Sequence, residues 1–435
     1  MEYLRQAGVK AFERSANREA AAAFEQALNA IEHLPQTRKV TEQTVDLCLA
    51  MRPCVTPLGD MKRLLASVDR AAALTDSLGN NPRREALICG YQAAALTNLG
   101  RTEEASSLAR RGWSTAQSLD DPLLRVCTRF FLGQTQVRLA MFREAIETFE
   151  RDVGLSTDRL IELAARSSTG GTLDARSALS SQLFTNFECS FAYAELGAFD
   201  AAVERAEEVE RIAQAVGLVY FRALAEMARG GPRLQRGETS VAIPFLERSL
   251  QLGENADFPG AIILAACGLG QAYNLTERAQ DSIALLERAW GLAEAGGFLH
   301  FGAICLMHLA DAYSLTGQQT KALATIDRAL TVGREGGFRA REAWALYLQG
   351  NILGRGPEAD TAAARHAHQA SLTLADELGM RPLSAHCHLG LGQLHATLGD
   401  AAKAREHLER ALALYREMGM QHWPEQAEAA LRAVN

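Results

Sequence analysis

Apolar residues recur along the chain at three- and four-residue spacing, and short glycine-bearing turns interrupt them at a constant interval. Small and apolar positions follow one set of turns as Ala105-Ala109, Ala145-Phe149, Ala242-Leu246-Leu250, Ala322-Ile326-Ala329-Leu330 and Ala404-Leu408-Ala411-Leu412. The first segment repeats the pattern with Ala20, Phe24, Ala27 and Leu28. This periodicity predicts amphipathic helices, each with one buried stripe. The turns align at Gly100, Gly197, Gly237, Gly317 and Gly399. Gly197 and Gly237 stand 40 residues apart and Gly237 and Gly317 80 apart, with Glu277 in the slot between. Ala140 fills the slot 40 residues after Gly100.

A second set of markers runs out of phase with the first: Gly217-Leu218, Asp257-Phe258, Gly297-Phe298, Gly337-Phe338, Gly379-Met380 and Gly419-Met420. Glycine takes the left-handed conformation that ends a helix, and the apolar residue after it folds back onto the last turn. Each repeat therefore reads helix A, tight turn, helix B, then a glycine–apolar stop. Leu132-Gly133, Leu269-Gly270, Leu309-Ala310 and Leu391-Gly392 put small residues in helix A where helix B must approach closely. This matches tetratricopeptide-repeat (TPR) spacing, with helices nearly a turn longer.

The expected fold is all-α, a right-handed TPR-like superhelical solenoid of about ten helix pairs with a 40-residue period. The pairs fall at 2–34, 40–79, 82–119, 122–153, 174–216, 218–256, 258–297, 299–337, 339–379 and 381–419. A single array over 1–435 is expected, with an insertion near 154–172 and a capping helix at 420–434 started by Pro424. The insertion reads as part helix, Asp158 to Ala165, and part loop through Ser167-Ser168-Thr169-Gly170-Gly171-Thr172. Irregular turns are expected at Arg52-Pro53-Cys54-Val55-Thr56-Pro57 and Gly354-Arg355-Gly356-Pro357.

Composition narrows the function classes. Alanine runs at Ala20–Ala23 and Ala71–Ala73 reinforce helix, and aromatics make up only 6%. A net charge of -7 with no basic stripe argues against a nucleic-acid partner. The longest nearly apolar run, Ala261 to Leu269, is far shorter than the ~18 residues a membrane span needs. The start of the chain lacks the layout of a secretion signal. Eight cysteines are too dilute for a disulfide framework and read as reduced core thiols. A cytoplasmic protein with no membrane partner is expected.

Two stretches carry a family resemblance. Tyr3 to Ala16 and, more closely, Glu342 to Leu346, Glu377 to Leu383, Ala385 to Gly392 and Tyr415 to Met418 resemble the C-terminal TPR region of bacterial class III adenylate/guanylate cyclase–AAA ATPase multidomain proteins. The resemblance implies a regulatory tail without the cyclase and ATPase domains. It implies a protein or peptide partner, with a separate ATPase or nucleotide cyclase as the specific expectation. No G-x-x-x-x-G-K-[ST] loop occurs, since Gly170-Gly171-Thr172 lacks the lysine, and paired metal-binding aspartates have no strand to sit on. No enzyme activity, cofactor or metal is expected.

The candidate partner-binding residues lie on helix A positions. Phe184, Phe187 and Phe191 follow i, i+3, i+7 spacing, and Phe130 precedes them in the previous repeat. Such a stripe is read either as core or as an apolar groove for a peptide or helix. Gln134, Gln271 and Asn274, with Gln393, supply neutral hydrogen-bonding groups; the basic residues of a carboxylate clamp are missing from the equivalent positions. Neutral lining leaves a second reading open, a small-molecule sensor of a signalling or transcription-regulatory system. Nine of the ten histidines lie after residue 299, but His386 and His388 point away from each other on a helix, which argues for packing over metal binding.

Overall fold

The computed structural model describes residues 2–79, 81–166, 174–356 and 359–434, and every regular element among them is an α-helix. The first half contains α1 (Glu2–Glu13), α2 (Asn17–Glu32), α3 (Arg38–Ala50), α4 (Arg52–Val55), α5 (Met61–Leu78), α6 (Pro82–Asn98), α7 (Thr102–Gln117), α8 (Pro122–Arg138), α9 (Phe142–Glu150), α10 (Thr157–Arg166), α11 (Ala175–Glu195) and α12 (Phe199–Val216). The second half contains α13 (Val219–Arg236), α14 (Thr239–Asn255), α15 (Pro259–Leu275), α16 (Ala279–Gly296), α17 (Leu299–Leu315), α18 (Gln319–Glu335), α19 (Arg339–Leu353), α20 (Thr361–Leu378), α21 (Arg381–Thr397), α22 (Ala401–Glu417) and α23 (Trp423–Val434). Ten antiparallel pairs result, with α4, α10 and α23 outside the pairing. The loop expected at 167–172 and the proline of the Gly354-Arg355-Gly356-Pro357 turn lie outside the described residues.

Local chemistry sets the helix ends. Asp121 caps α8 by accepting from the Leu124 amide at 3.0 Å, with Pro122 in the first turn, where no amide donor is needed. Asn81 and Asp360 cap α6 and α20 in the same way. At the stops, Gly217, Gly297 and Gly379 are left-handed, with φ of 75°, 77° and 70°. Non-glycine residues obey the same geometry, Asp257 at a stop with φ of 51° and Ala140 and Glu277 at the tight turns with φ of 60° and 59°. The repeat imposes a conformation that costs an L-residue about 1 kcal/mol.

A and B helices differ in how much of their surface is buried. α15 is buried almost continuously from Pro259 to Gly270, whereas α16 buries a single stripe through Ala279, Ile283, Leu286, Ala289, Trp290 and Ala293. A helices therefore form the inner layer, touching the A helices before and after them, while B helices face outward. Gly133, Gly270 and Gly392 lie where Phe149, Leu286 and Leu408 of the following B helix press in. A Cβ at Gly133 would come 2.1 Å from the Phe149 ring.

The solenoid closes on itself after five repeats. The second pair meets the seventh where the Gly260 amide donates to the Pro57 carbonyl at 3.0 Å. Gly100 of the third pair lies against Gly336 of the eighth, and Gly197 of the fifth against Met418 and Pro382 of the tenth. Arg236 accepts from the Gln421 amide through its carbonyl at 3.0 Å. One buried cluster holds residues from Ala11 to Ile352, and further clusters gather around Phe142 and Leu383 and around Leu408 and Tyr415. Contact between turns is close enough to test. A Cβ on Gly296 would stand 2.1 Å from the Gly59 carbonyl oxygen, which is backbone and cannot swing away. Gly296→Ala should therefore lower stability by about 1–3 kcal/mol despite the better helix propensity of alanine, measured by urea unfolding. Equal or higher stability would mean the turns do not press together there.

Candidate functional site

A cavity of about 900 Å³ opens on the inner side of the first superhelical turn. Its walls come from α1, α3, α4, α10, the start of α11 and the α12–α13 junction. The irregular turn after α3 creates one wall. Pro53 stands in the first turn of α4, a helix of only 4 residues, and the Thr56 hydroxyl closes it by donating to the Arg52 carbonyl at 2.9 Å. This short helix points Arg52 inward. Its side chain is 8% exposed, with the guanidinium 4.7 Å from the Tyr91 ring centre and 5.2 Å from that of Phe131. Burial pushes the Tyr91 phenol up to about 12, against the opposing pull of the Arg52 charge.

Aromatic rings continue the lining from Phe131, which meets Phe130 at 5.0 Å. Phe184 stacks on Phe130 at 5.5 Å and meets Phe221 edge-on at 5.8 Å, with Tyr220 at 6.4 Å. Phe184, Tyr220 and Phe221 all line the cavity, and Phe130 lies fully buried behind Phe184. Ser177 and Ser180 add hydroxyls from α11. Acidic residues Glu2, Glu13, Asp46 and Asp174 also border the space.

The other expected residues fall elsewhere. Phe187 is buried in the core against Phe191, with ring centres 5.0 Å apart. Phe191 and Gln271 border a second, much smaller cavity of about 80 Å³ on the superhelix axis. Gln134 is buried and donates to Glu188 at 3.3 Å. Asn274 is used within the fold: it donates to the His308 carbonyl at 2.8 Å and accepts from the Ser282 hydroxyl at 2.9 Å. One stripe of α11 thus serves two cavities, because the three phenylalanines spread along the helix while the turns close around it.

Buried charge surrounds the small axial cavity. Arg138 and Glu188 pair at 2.6 Å, both almost fully buried, with Arg138 also 5.2 Å from the Phe301 ring centre. Glu195 accepts from Arg341 at 2.7 Å and from the Trp344 indole at 3.0 Å. Burial holds the His300 imidazole well below its ordinary range and lowers that of His308 to about 4.

Among the described residues no group of three or more histidine, cysteine or acidic side chains is placed to hold a metal ion. His386 is packed among Trp344, Tyr347 and Trp423 and shares a hydrogen bond with the Tyr415 hydroxyl at 2.9 Å. His388 pairs with His407 at 2.8 Å. All eight cysteines are unpaired and buried. Burial pushes the Cys54, Cys189 and Cys387 thiols up to about 12, which makes them poor nucleophiles.

Sequence reasoning marked Phe184 and Phe130 but missed Arg52, Tyr91, Tyr220 and Phe221. The available signal was the break in periodicity at 52–57, since a turn that departs from its repeat is often shaped for something other than packing.

Comparison with known proteins agrees with this architecture. Residues 385–418 match the tetratricopeptide repeat model. No curated protein sequence matches the chain. A Rap protein solved with competence and sporulation factor is similar over 86% of this chain and 99% of its own, at 14% identity and a TM-score of 0.62. The Rap conjugation gene regulator of plasmid pLS20, solved with the Phr* peptide, is similar over 90% of this chain and 98% of its own, at 13% identity and a TM-score of 0.51. These likenesses establish the TPR-like solenoid fold.

Proposed function

We propose that this chain is a non-catalytic, cytoplasmic regulatory scaffold, a single helical array over 1–435 that binds a peptide or the segment of a partner protein in its inner cavity. The observation that carries the reading is the cavity of about 900 Å³, lined by aromatic rings and a buried arginine. Its size lies at the upper end of the ~300–1,000 Å³ of ordinary ligand pockets. One solenoid of similar fold was solved with the Phr* peptide and another with competence and sporulation factor, which supports a peptide or protein segment as occupant. Thiols held protonated by burial and left unpaired support both the reducing compartment and the absence of nucleophilic chemistry. In this proposal Phe184 faces the ligand and Phe130 supports it.

The resemblance to cyclase–ATPase repeat tails makes a separate ATPase or nucleotide cyclase the proposed effector. Failure of purified candidates to form a complex at micromolar concentration would remove that part alone. A metabolite sensor is the second reading, favoured by the aromatic rings and serine hydroxyls that line the same cavity.

Ser180→Phe provides the test. Ser180 is half-buried on the cavity wall, so a larger side chain fills the space without entering the core. Protein purified from its own source, examined by native mass spectrometry, should carry a bound mass that the variant loses while its circular dichroism is unchanged. A peptide mass supports the first reading and a non-peptide mass the second. A bound mass that persists in the variant places binding outside this cavity.

A further inference from the structure

Cysteine recurs at one position of the inner layer. Cys267 on α15 and Cys305 on α17 occupy the same slot of consecutive A helices, 38 residues apart. Both are buried, and their sulfurs stand 3.5 Å from each other. Other buried thiols face different chemistry. Cys127 meets the Ser181 hydroxyl at 3.5 Å, Cys387 the Ser371 hydroxyl at 3.1 Å and Cys89 the Arg111 guanidinium at 3.0 Å. Cys267 donates its one S–H to the Phe301 carbonyl at 3.4 Å, so the proton between the two sulfurs is that of Cys305. This hydrogen bond with Cys267, and then burial, push the Cys305 thiol well above its ordinary range. Cys267 also borders the axial cavity of about 80 Å³, which has room for a molecule little larger than water. One sulfur thus faces space that a small oxidant can occupy, and a protonated thiol stands directly behind it.

We propose that Cys267 and Cys305 form a thiol-reversible disulfide when hydrogen peroxide enters the axial cavity, an oxidation site separate from the ligand cavity. The Cys267 sulfur, as thiolate, attacks one peroxide oxygen and the O–O bond breaks. The departing hydroxide takes up the Cys267 proton and leaves as water, with Cys267 left as a sulfenic acid. The Cys305 sulfur then attacks the Cys267 sulfur, the S–O bond breaks, and the Cys305 proton leaves with the second water. Two thiols and one peroxide become one disulfide and two waters. The sulfurs, 3.5 Å apart as thiols, must close to about 2.05 Å, a movement shared between two side chains. In a reducing compartment the pair rests as a dithiol. Oxidation ties the seventh helix pair to the eighth through the inner layer and fixes the angle between them.

The experiment treats the folded full chain with millimolar hydrogen peroxide over minutes to hours, quenches it with catalase and alkylates it in denaturant for intact-mass and peptide analysis. Two of the eight thiols should be lost, with Cys267 and Cys305 joined in one cross-linked peptide pair that dithiothreitol releases. Circular dichroism should be unchanged. In Cys305→Ala the reaction has no second sulfur, so dimedone added with the denaturant should trap a sulfenic acid at Cys267. Retention of all eight thiols by the unaltered chain would overturn the proposal. So would sulfinic acid at Cys267 without a cross-link, or cross-links that form only once the dichroism signal is lost. These measurements on the unaltered chain need no variant to fold, and they are independent of what occupies the larger cavity.

Discussion

Glu195→Ala is expected to destabilise the protein by about 3–5 kcal/mol, the usual cost of leaving one member of a buried ion pair without its partner. Glu195 is 2% exposed near the end of α11 and accepts from both Arg341 and Trp344 on α19, whose contacts with it span 146 and 149 residues of chain. Removing it leaves a mostly buried guanidinium and an indole N–H facing no acceptor across the gap between two superhelical turns. Chemical denaturation followed by circular dichroism gives the magnitude. Pairing Glu195→Ala with Arg341→Met separates the pair from the charge: the double variant should recover much of the loss, since an apolar replacement removes the orphaned cation. A loss below about 1 kcal/mol would mean that water reaches Arg341 and that the contact behaves as a surface ion pair.

Acid is expected to unfold the protein over an unusually high pH range. Burial lowers His308 and His368 to about 4 and His386 to about 3, from an ordinary value near 6.5. The folded state keeps these rings neutral while the unfolded chain protonates them. Below pH 6.5 the unfolded state therefore binds more protons, and stability falls as pH falls, until the folded-state values are reached near pH 4. Each histidine adds a slope of about 1.4 kcal/mol per pH unit in that window, so three acting together weaken the fold steeply. Above pH 6.5 they add no pH dependence. The urea midpoint should thus hold between pH 8 and 7 and drop sharply from 6 to 5. His368→Leu should flatten that drop by one proton, because the ring lies wedged between Gly350 and Gly390 and, among the described residues, its Nδ1 has no hydrogen-bond partner. A midpoint that stays level down to pH 5 would show that these rings take up protons without unfolding.

Much of the architecture was legible before any coordinates. The 40-residue interval, the two glycine phases and the small residues at Gly133, Gly270 and Gly392 are local features, and the structure uses them as turns, stops and close crossings. Even Ala140 and Glu277, identified only by counting from neighbouring repeats, adopt the left-handed backbone of the glycines they replace. The candidate site was read less well. Spacing placed Phe184, Phe187 and Phe191 on one helix face, and it had no means of telling that Phe187 would be core and that Phe184 and Phe191 would look into different spaces. Gln134 and Asn274 were read as groove polar groups; the fold uses their hydrogen bonds within itself. Arg52 appeared only as part of an irregular turn.

The sequence by itself determined the repeat, because helix propensity, capping and the left-handed stop depend on residues a few positions apart. Only the tertiary structure decided how tightly the repeats wind. The small rotation from each pair to the next is set by side-chain sizes across the interface, and those rotations add up over five repeats before Gly59 meets Gly296 and over four before Glu195 meets Arg341. No local pattern encodes such a sum. Arg52 likewise gains its surroundings only in the packed array, where the rings of Tyr91 and Phe131 reach it from the next two repeats.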